Sequence, residues 1–347
     1  MRYCFFVLIA VVLVGCKGKQ KSVDGAPYVT VEGQAQGTYY RVTYADPLQR
    51  DFKAGFEAFF DALNREVSTY LDTSLISAFN KVQAGEFSLP AGARYFMANL
   101  EKSREVYRAT AGAFDPTVMP LVAYWGFGPK PGKVLVVDSA KVDALRACTG
   151  MDKLSWARQR NGEVLLKKGC PGMQLDFNAI AQGYAVDEIG RMLEAEGIGD
   201  YLVDIGGEVL AKGKNPRGQV WTIGINAPRE DGKSDEMLAA LPLNNRALAT
   251  SGNYRKFYVV NGAKFSHTIN PATGFPERNA LLSASVFAPD AMTADAYATA
   301  CMVLGPEKAL QMIEKNPALD AYLVIGTADG KMQIQYSAGL KPILDKK

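Results

Sequence analysis

Histidine is nearly absent from this chain: its 347 residues hold one, His267. That scarcity excludes every zinc site that needs two imidazoles, the HExxH and facial-triad arrangements included. The five cysteines show no CxxC spacing, so neither a thiolate metal cage nor a dithiol redox motif can be built from them. No Walker A loop, no GxGxxG after a strand and no GxSxG elbow occurs. A surplus of charge is lacking as well. The formal net charge of +3 is small for this length, and no basic stripe is interleaved with aromatics, which argues against nucleic-acid binding. The apolar run from Phe5 to Val14 is far shorter than the roughly 20 residues that span a bilayer.

What is present begins with "MRYCFFVLIAVVLVGC" (1–16), a basic start, a short apolar run and Gly15-Cys16. It reads as a signal peptide. "LVGC" resembles a bacterial lipobox, whose small residue before the cysteine admits the peptidase and whose thiol is diacylated. The expectation is a lipoprotein carrying palmitate on Cys16, anchored to a bacterial membrane on its periplasmic, extracytoplasmic side. An ordinary cleaved signal followed by a chance cysteine is the alternative. Residues 17–27 are polar and aperiodic, a flexible tether. Residues 28–347 contain no convincing linker and are taken as one domain. Cys148 and Cys170 could pair after export or stay as separate buried thiols, and Cys301 is left over.

Hydrophobic periodicity predicts an α+β class with mainly antiparallel sheets and flanking helices. "YVTVEGQAQGTYYRVTYA" (28–45) is a hairpin. Phe52, Phe56, Phe59, Phe60, Leu63 and Val67 recur at helical spacing, and a second helix runs from about Ala91 to Ala111. Beyond Gln174, helix and strand alternate. "NAIAQGYAVDEIGRMLEAEG" is a helix, "YLVDIGGEVLAKG" a pair of strands around a glycine turn, and "FYVVNGAKFSHTI" a hairpin turning at Asn261-Gly262. "LLSASVFA" is a buried strand, "MTADAYATACMVLG" a helix, and "AYLVIGTADGKMQIQYS" a closing hairpin.

Several of these segments can carry chemistry, each with a plainer alternative. Asp295 and Thr299 lie four apart, so a helix puts both oxygens on one face, a hard-oxygen pair suited to Mg²⁺. The plainer reading has Thr293 capping that helix and Asp295 complementing its dipole. "LDFNAIAQGYAVD" (175–187) passes from strand to helix with Asn178 as a possible N-cap, and free N–H groups there suit phosphate. "DIGGEV" lets a ligand approach the backbone at Gly206 and Gly207, or is a tight turn. His267 stands just before Asn270-Pro271 and Thr273-Gly274, which fix a rigid turn. It is either a general base or a residue at a strand end.

Taken in order, "QGTYYRV", "STYLDTSLISAFN", "GAFDPTVMPLV", "LDFNAIAQGYAVD", "DIGGEV", "SGNYRKF", "SHTINPATG" and "MTADAYATA" resemble the ApbE family, the FAD:protein FMN transferases, over essentially all of residues 28–347. The resemblance implies a T-fold-like architecture with FAD, as substrate, bound in a cleft. It implies Mg²⁺ held by the Ala179 carbonyl, Asp295 and Thr299. Contacts to FAD would come from Tyr70, Asp115, Gln182, Gly206, Gly207, Glu208 and Ser251. The family moves FMN from FAD to a threonine hydroxyl of a partner and releases AMP. Its acceptors are subunits of Na⁺-translocating NADH:quinone reductase and related flavoprotein electron carriers. His267 would be the base, since an imidazole titrating near ~6.5 in water is largely neutral at pH 7. The chain departs from the family at "NAIAQG", where Gln182 replaces a lysine and Asn178 a small residue. Two other functions use the same residues: an FAD pyrophosphatase, with water in place of the threonine, and a lipoprotein that only binds flavin.

Overall fold

A computed structural model describes residues 25–229, 236–253, 257–260 and 263–345. The signal peptide, Cys16, most of the tether and the Asn261-Gly262 turn lie outside them. An eight-stranded sheet organises the chain, with every neighbouring pair antiparallel. Its order is Tyr28–Ala35, Thr38–Ala45, Tyr201–Ile205, Glu208–Lys212, Arg246–Gly252, Leu281–Ala288, Asp320–Gly326 and Met332–Tyr336. The expected hairpins account for its two ends. The middle is assembled from distant segments, as where Tyr44 lies opposite Tyr201.

One face of the sheet is covered by helices. Lys53–Val67 buries Phe56, Phe59, Phe60, Leu63 and Val67, the stripe its spacing predicts. Each such side chain contributes roughly 1.5–3 kcal/mol when taken out of water. Arg94–Ala109 and Ala181–Ala195 pack in the same layer. Ala291–Leu304 is buried on nearly all sides, wedged between the sheet and these helices. A helix apolar all round belongs inside a domain. Asp295 within it is therefore conspicuous, at 6% exposed. The other sheet face carries the hairpin Trp221–Asn226 with Met237–Leu243 and the C-terminal Leu340, which share a second core. A small lobe stands apart from both layers. The short helices Met119–Tyr124 and Ser139–Ala147 pack with the hairpin Phe257–Val260/Ala263–Ser266 around Trp125, Tyr258 and Phe265. A three-stranded sheet of Gly85–Leu89, Val164–Lys168 and Leu154–Arg158 completes the fold.

The class is α+β, as the periodicity predicts. Three local expectations differ. Residues 174–177 form a loop instead of a strand, 178–180 a turn instead of the start of the helix, and Ile180, without a side-chain bond, precedes that helix. Asn178 turns aside to donate to Thr69 Oγ1 at 3.3 Å. Asp290 caps the Ala291–Leu304 helix in place of Thr293, accepting from the Thr293 N–H at 2.8 Å. Of the two cysteine alternatives, the structure has Cys148 and Cys170 bonded, with Cα atoms 5.4 Å apart, and Cys301 buried and free. No helix among the described residues is long and apolar enough to cross a membrane.

Candidate active site

A cleft of about 350 Å³ opens where the small lobe meets the end of the large sheet and the starts of two helices. One glycine sets how closely those two helices approach. Gly183, in the first turn of Ala181–Ala195, crosses the start of Ala291–Leu304 so closely that a Cβ would clash with the Ala291 carbonyl and stand 2.8 Å from Met292 Cα. That contact brings the Gly183 N–H to Asp295 Oδ2 at 3.1 Å. One turn further along the same helix face, Thr299 Oγ1 lies 3.3 Å from Ser251 Oγ, at the end of the Arg246–Gly252 strand. The Ala179 carbonyl belongs to the loop that precedes the first helix.

Glu208 arrives from the sheet. The turn before it uses left-handed backbone at Gly206 (φ 66°) and Gly207 (φ 110°), and Asp204 holds it by accepting from the Gly207 N–H at 3.1 Å. A Cβ on Gly206 would sit 2.7 Å from Thr38 Cγ2 and 3.2 Å from Gln182 Nε2, so this turn packs against Gln182. Glu208 is 9% exposed, and its Oε2 has no hydrogen-bond partner. Burial is the main reason that its carboxyl titrates well above the usual range, and the charge of Asp295 adds to the rise. Burial also pushes Asp295 up to about 7, against the opposing Gly183 N–H bond. Asp115 is pushed up to about 6, again by burial, although its Oδ1 accepts from both the N–H and the hydroxyl of Thr117, at 2.8 and 2.6 Å.

A buried carboxyl with an orphaned oxygen is either kept protonated or balanced by a cation. Asp295, Glu208, Thr299 and Ala179 all line the cleft, and carboxylate, hydroxyl and backbone carbonyl are hard-oxygen donors of the kind that suits Mg²⁺ and is poor for softer metals. Among the described residues no group of three or more His, Cys, Asp or Glu side chains could hold a metal. A site with carbonyl and hydroxyl donors is not of that kind.

His267 comes from the small lobe, directly after the Ala263–Ser266 strand. Its ring meets Phe127 edge to face with centroids 6.4 Å apart. Next to it, Thr268 donates to Asn253 Oδ1 at 2.6 Å, tying the lobe to the end of the sheet that bears Ser251. The following turn, which holds Pro271 and Gly274, is tied by two hydrogen bonds. Gly274 N–H donates to Asn270 O at 2.8 Å, and Trp125 Nε1 donates to Gly274 O at 2.8 Å. Gly274 (φ 78°) has no room for a side chain against Val142.

The cleft thus gathers His267, Tyr70, Asp115, Gln182, Glu208, Ser251, Ala179, Asp295 and Thr299. Gly206 and Gly207 do not line it; they shape the turn that aims Glu208. Tyr70 is 65% exposed, at the rim. Sequence reasoning passed over Asp176 and Phe127. Asp176 lines the cleft, and its N–H donates to Pro116 O at 2.8 Å, joining the loop of Asp115 to that of Ala179. Its signal was the Asx turn in "LDFN", where Asp176 Oδ1 accepts from the Asn178 N–H at 2.8 Å. Phe127 stood in a glycine-rich loop without periodicity.

A sequence model described as the ApbE family matches residues 36–323. The FAD:protein FMN transferase of Escherichia coli (strain K12) is 35% identical over 326 residues, 92% of this chain and 91% of that one. Two solved structures share the fold. The flavin transferase ApbE from Vibrio cholerae superposes with a TM-score of 0.80 at 32% identity, covering 91% of this chain and 99% of that one. The apo form of the Pseudomonas stutzeri flavinyl transferase ApbE gives 0.79 at 32% identity, covering 91% and 96%.

Proposed function

The chain belongs to the ApbE family and is an enzyme of the flavin-transferase kind, and on that premise we propose that it moves the FMN half of FAD, with Mg²⁺, onto a threonine hydroxyl of an acceptor flavoprotein. The observation that carries this reading is the meeting of His267 with Asp295, Thr299 and Glu208 in one cleft. A lone flavin-binding function would need neither a base nor a buried acidic pocket.

In this reaction the acceptor Thr–OH attacks the FMN phosphorus, the pyrophosphate P–O bond breaks, and AMP leaves with the electron pair. His267 takes the hydroxyl proton as the new O–P bond forms, a contribution of roughly 10²–10⁴-fold. Asp295, Thr299 and the Ala179 carbonyl would hold the ion, with Glu208 supplying further negative charge. An Mg²⁺ held there would supply positive charge against the charge that grows on the pyrophosphate oxygens. Tyr70, Asp115, Gln182 and Ser251 orient the dinucleotide, and Phe127 packs against the His267 ring. We further infer an acceptor among the subunits of Na⁺-translocating NADH:quinone reductase or related electron carriers, met at a membrane to which lipidated Cys16 tethers the enzyme on its extracytoplasmic side.

The test mixes the protein, FAD, Mg²⁺ and candidate acceptor subunits, then looks for fluorescent flavin that stays on the acceptor in a denaturing gel. His267→Gln should bind FAD normally and lose on the order of 10²-fold in transfer rate. Free FMN and AMP with no labelled acceptor would mean a pyrophosphatase. Wild-type transfer by His267→Gln would remove the base from the mechanism.

A further inference from the structure

Asp187 plays no part in the chemistry above, yet it is 5% exposed and both its oxygens are committed. Oδ1 accepts from the Ala291 N–H at 2.7 Å and Oδ2 from the Met292 N–H at 3.0 Å. Those are first-turn amides of Ala291–Leu304, whereas Asp187 belongs to Ala181–Ala195. In return Asp295, on the second helix, accepts from the Gly183 N–H of the first. The two helices are therefore clamped in both directions at their closest approach.

We propose that Asp187 is a positioning residue for the metal-holding pair, fixing the axial register of Ala291–Leu304 so that Asp295 and Thr299 face the cleft. This rests on the proposed role of that pair. A slip of one residue along a helix moves a side chain about 1.5 Å and turns it by about 100°, enough to take both oxygens out of the cleft. Asp290 caps the same helix through the Thr293 N–H, but from within its own chain segment, so it satisfies an amide without fixing register. The two aspartates thus separate capping from positioning.

Mn²⁺ binding, read by electron paramagnetic resonance on the full chain, requires neither FAD nor turnover. Asp187→Asn keeps the shape and one acceptor but opposes an amide N–H₂ to a backbone N–H. It should weaken Mn²⁺ roughly 10-fold or more, the usual effect of losing a group that orients metal ligands. Asp290→Ala should lower the melting temperature and leave Mn²⁺ affinity within about twofold of wild type. If Asp187→Asn does not fold, Asp187→Ser, which leaves room for water at the freed amides, should show the same loss. Wild-type affinity in a folded Asp187 variant overturns the proposal, as does an equal loss in Asp290→Ala. A wild-type protein that binds no Mn²⁺ refutes the metal-dependent reading of the site instead.

Discussion

Replacing Asp295 by asparagine should stabilise the metal-free protein while abolishing its activity. In the folded chain the Asp295 carboxyl titrates at about 7, against an ordinary value of 3.8. A carboxyl raised in the folded state lends stability in its protonated form. That contribution is complete below about pH 4 and is lost progressively as the pH climbs to about 7. At pH 8 wild type bears the full cost of ionising Asp295 in a buried place, about 3 pK units at 1.36 kcal/mol each, or ~4 kcal/mol as an upper bound. At pH 5, where the folded carboxyl is still protonated, the same arithmetic leaves less than half of that. The asparagine side chain carries no charge, can still accept from the Gly183 N–H, and offers an N–H₂ in reach of the charge field of Glu208. Thermal unfolding in EDTA would measure the difference. At roughly 2 °C per kcal/mol for a chain this long, Asp295→Asn should melt several degrees above wild type at pH 8 and only slightly above it at pH 5. Asp187 and Asp115, also raised by burial, to about 7 and about 6, are common to both proteins and cancel, whereas Glu208, which burial and then the Asp295 charge push up, is relieved in the variant and widens the gap at pH 8. Mg²⁺ should close the gap at pH 8 by stabilising wild type alone, and less so below pH 7, where protons compete. A variant no more stable than wild type at pH 8, or equally stabilised at both pH values, would refute the reasoning.

Gly183→Ala should destabilise the fold by about 1–3 kcal/mol, because its Cβ meets helix backbone instead of a movable side chain; chemical denaturation would show it, and an unchanged midpoint would mean that the helices part freely. Gln182→Lys restores a cation beside the cleft and should tighten FAD binding, seen as flavin fluorescence quenching at lower protein concentration, with little change in maximal rate. No change in affinity would mean that the side chain does not reach the dinucleotide. Cys16→Ser should move the protein from the membrane fraction to a soluble or unprocessed form, and a wild type already soluble after fractionation would remove the lipid anchor.

Period and punctuation made the layers of this fold legible. The Phe56–Val67 stripe reads as one face of a helix, and the mostly apolar, charge-free strand at 281–288 as one buried in a sheet. Strand order was not legible, because Tyr44 and Tyr201 meet across more than 150 residues through burial common to every strand. For the site, each short string was ambiguous alone. Gly206 and Gly207 read either as a place of close ligand approach or as a tight turn; the structure has the turn, and its left-handed backbone aims Glu208 inward.

The start of the Ala291–Leu304 helix shows where such reading ends. Two aspartates hold its first amides. Asp290, adjacent in sequence, is a residue that capping rules favour, yet the sequence reading puts the cap at Thr293. Asp187, which reaches these amides from 104 residues upstream, leaves no local trace, because an aspartate beside a glutamate in mid-helix is an ordinary solvated residue in any single sequence. Local pattern states that a group will be buried or capped; it does not state by whom. Active sites are assembled from such cross-element partners, so a one-chain reading finds the groups that do chemistry, which are chemically distinctive, before the groups that hold them in place, which are not. Here the lone histidine and the one acid in an otherwise apolar helix stood out, and the clamp that sets that helix did not.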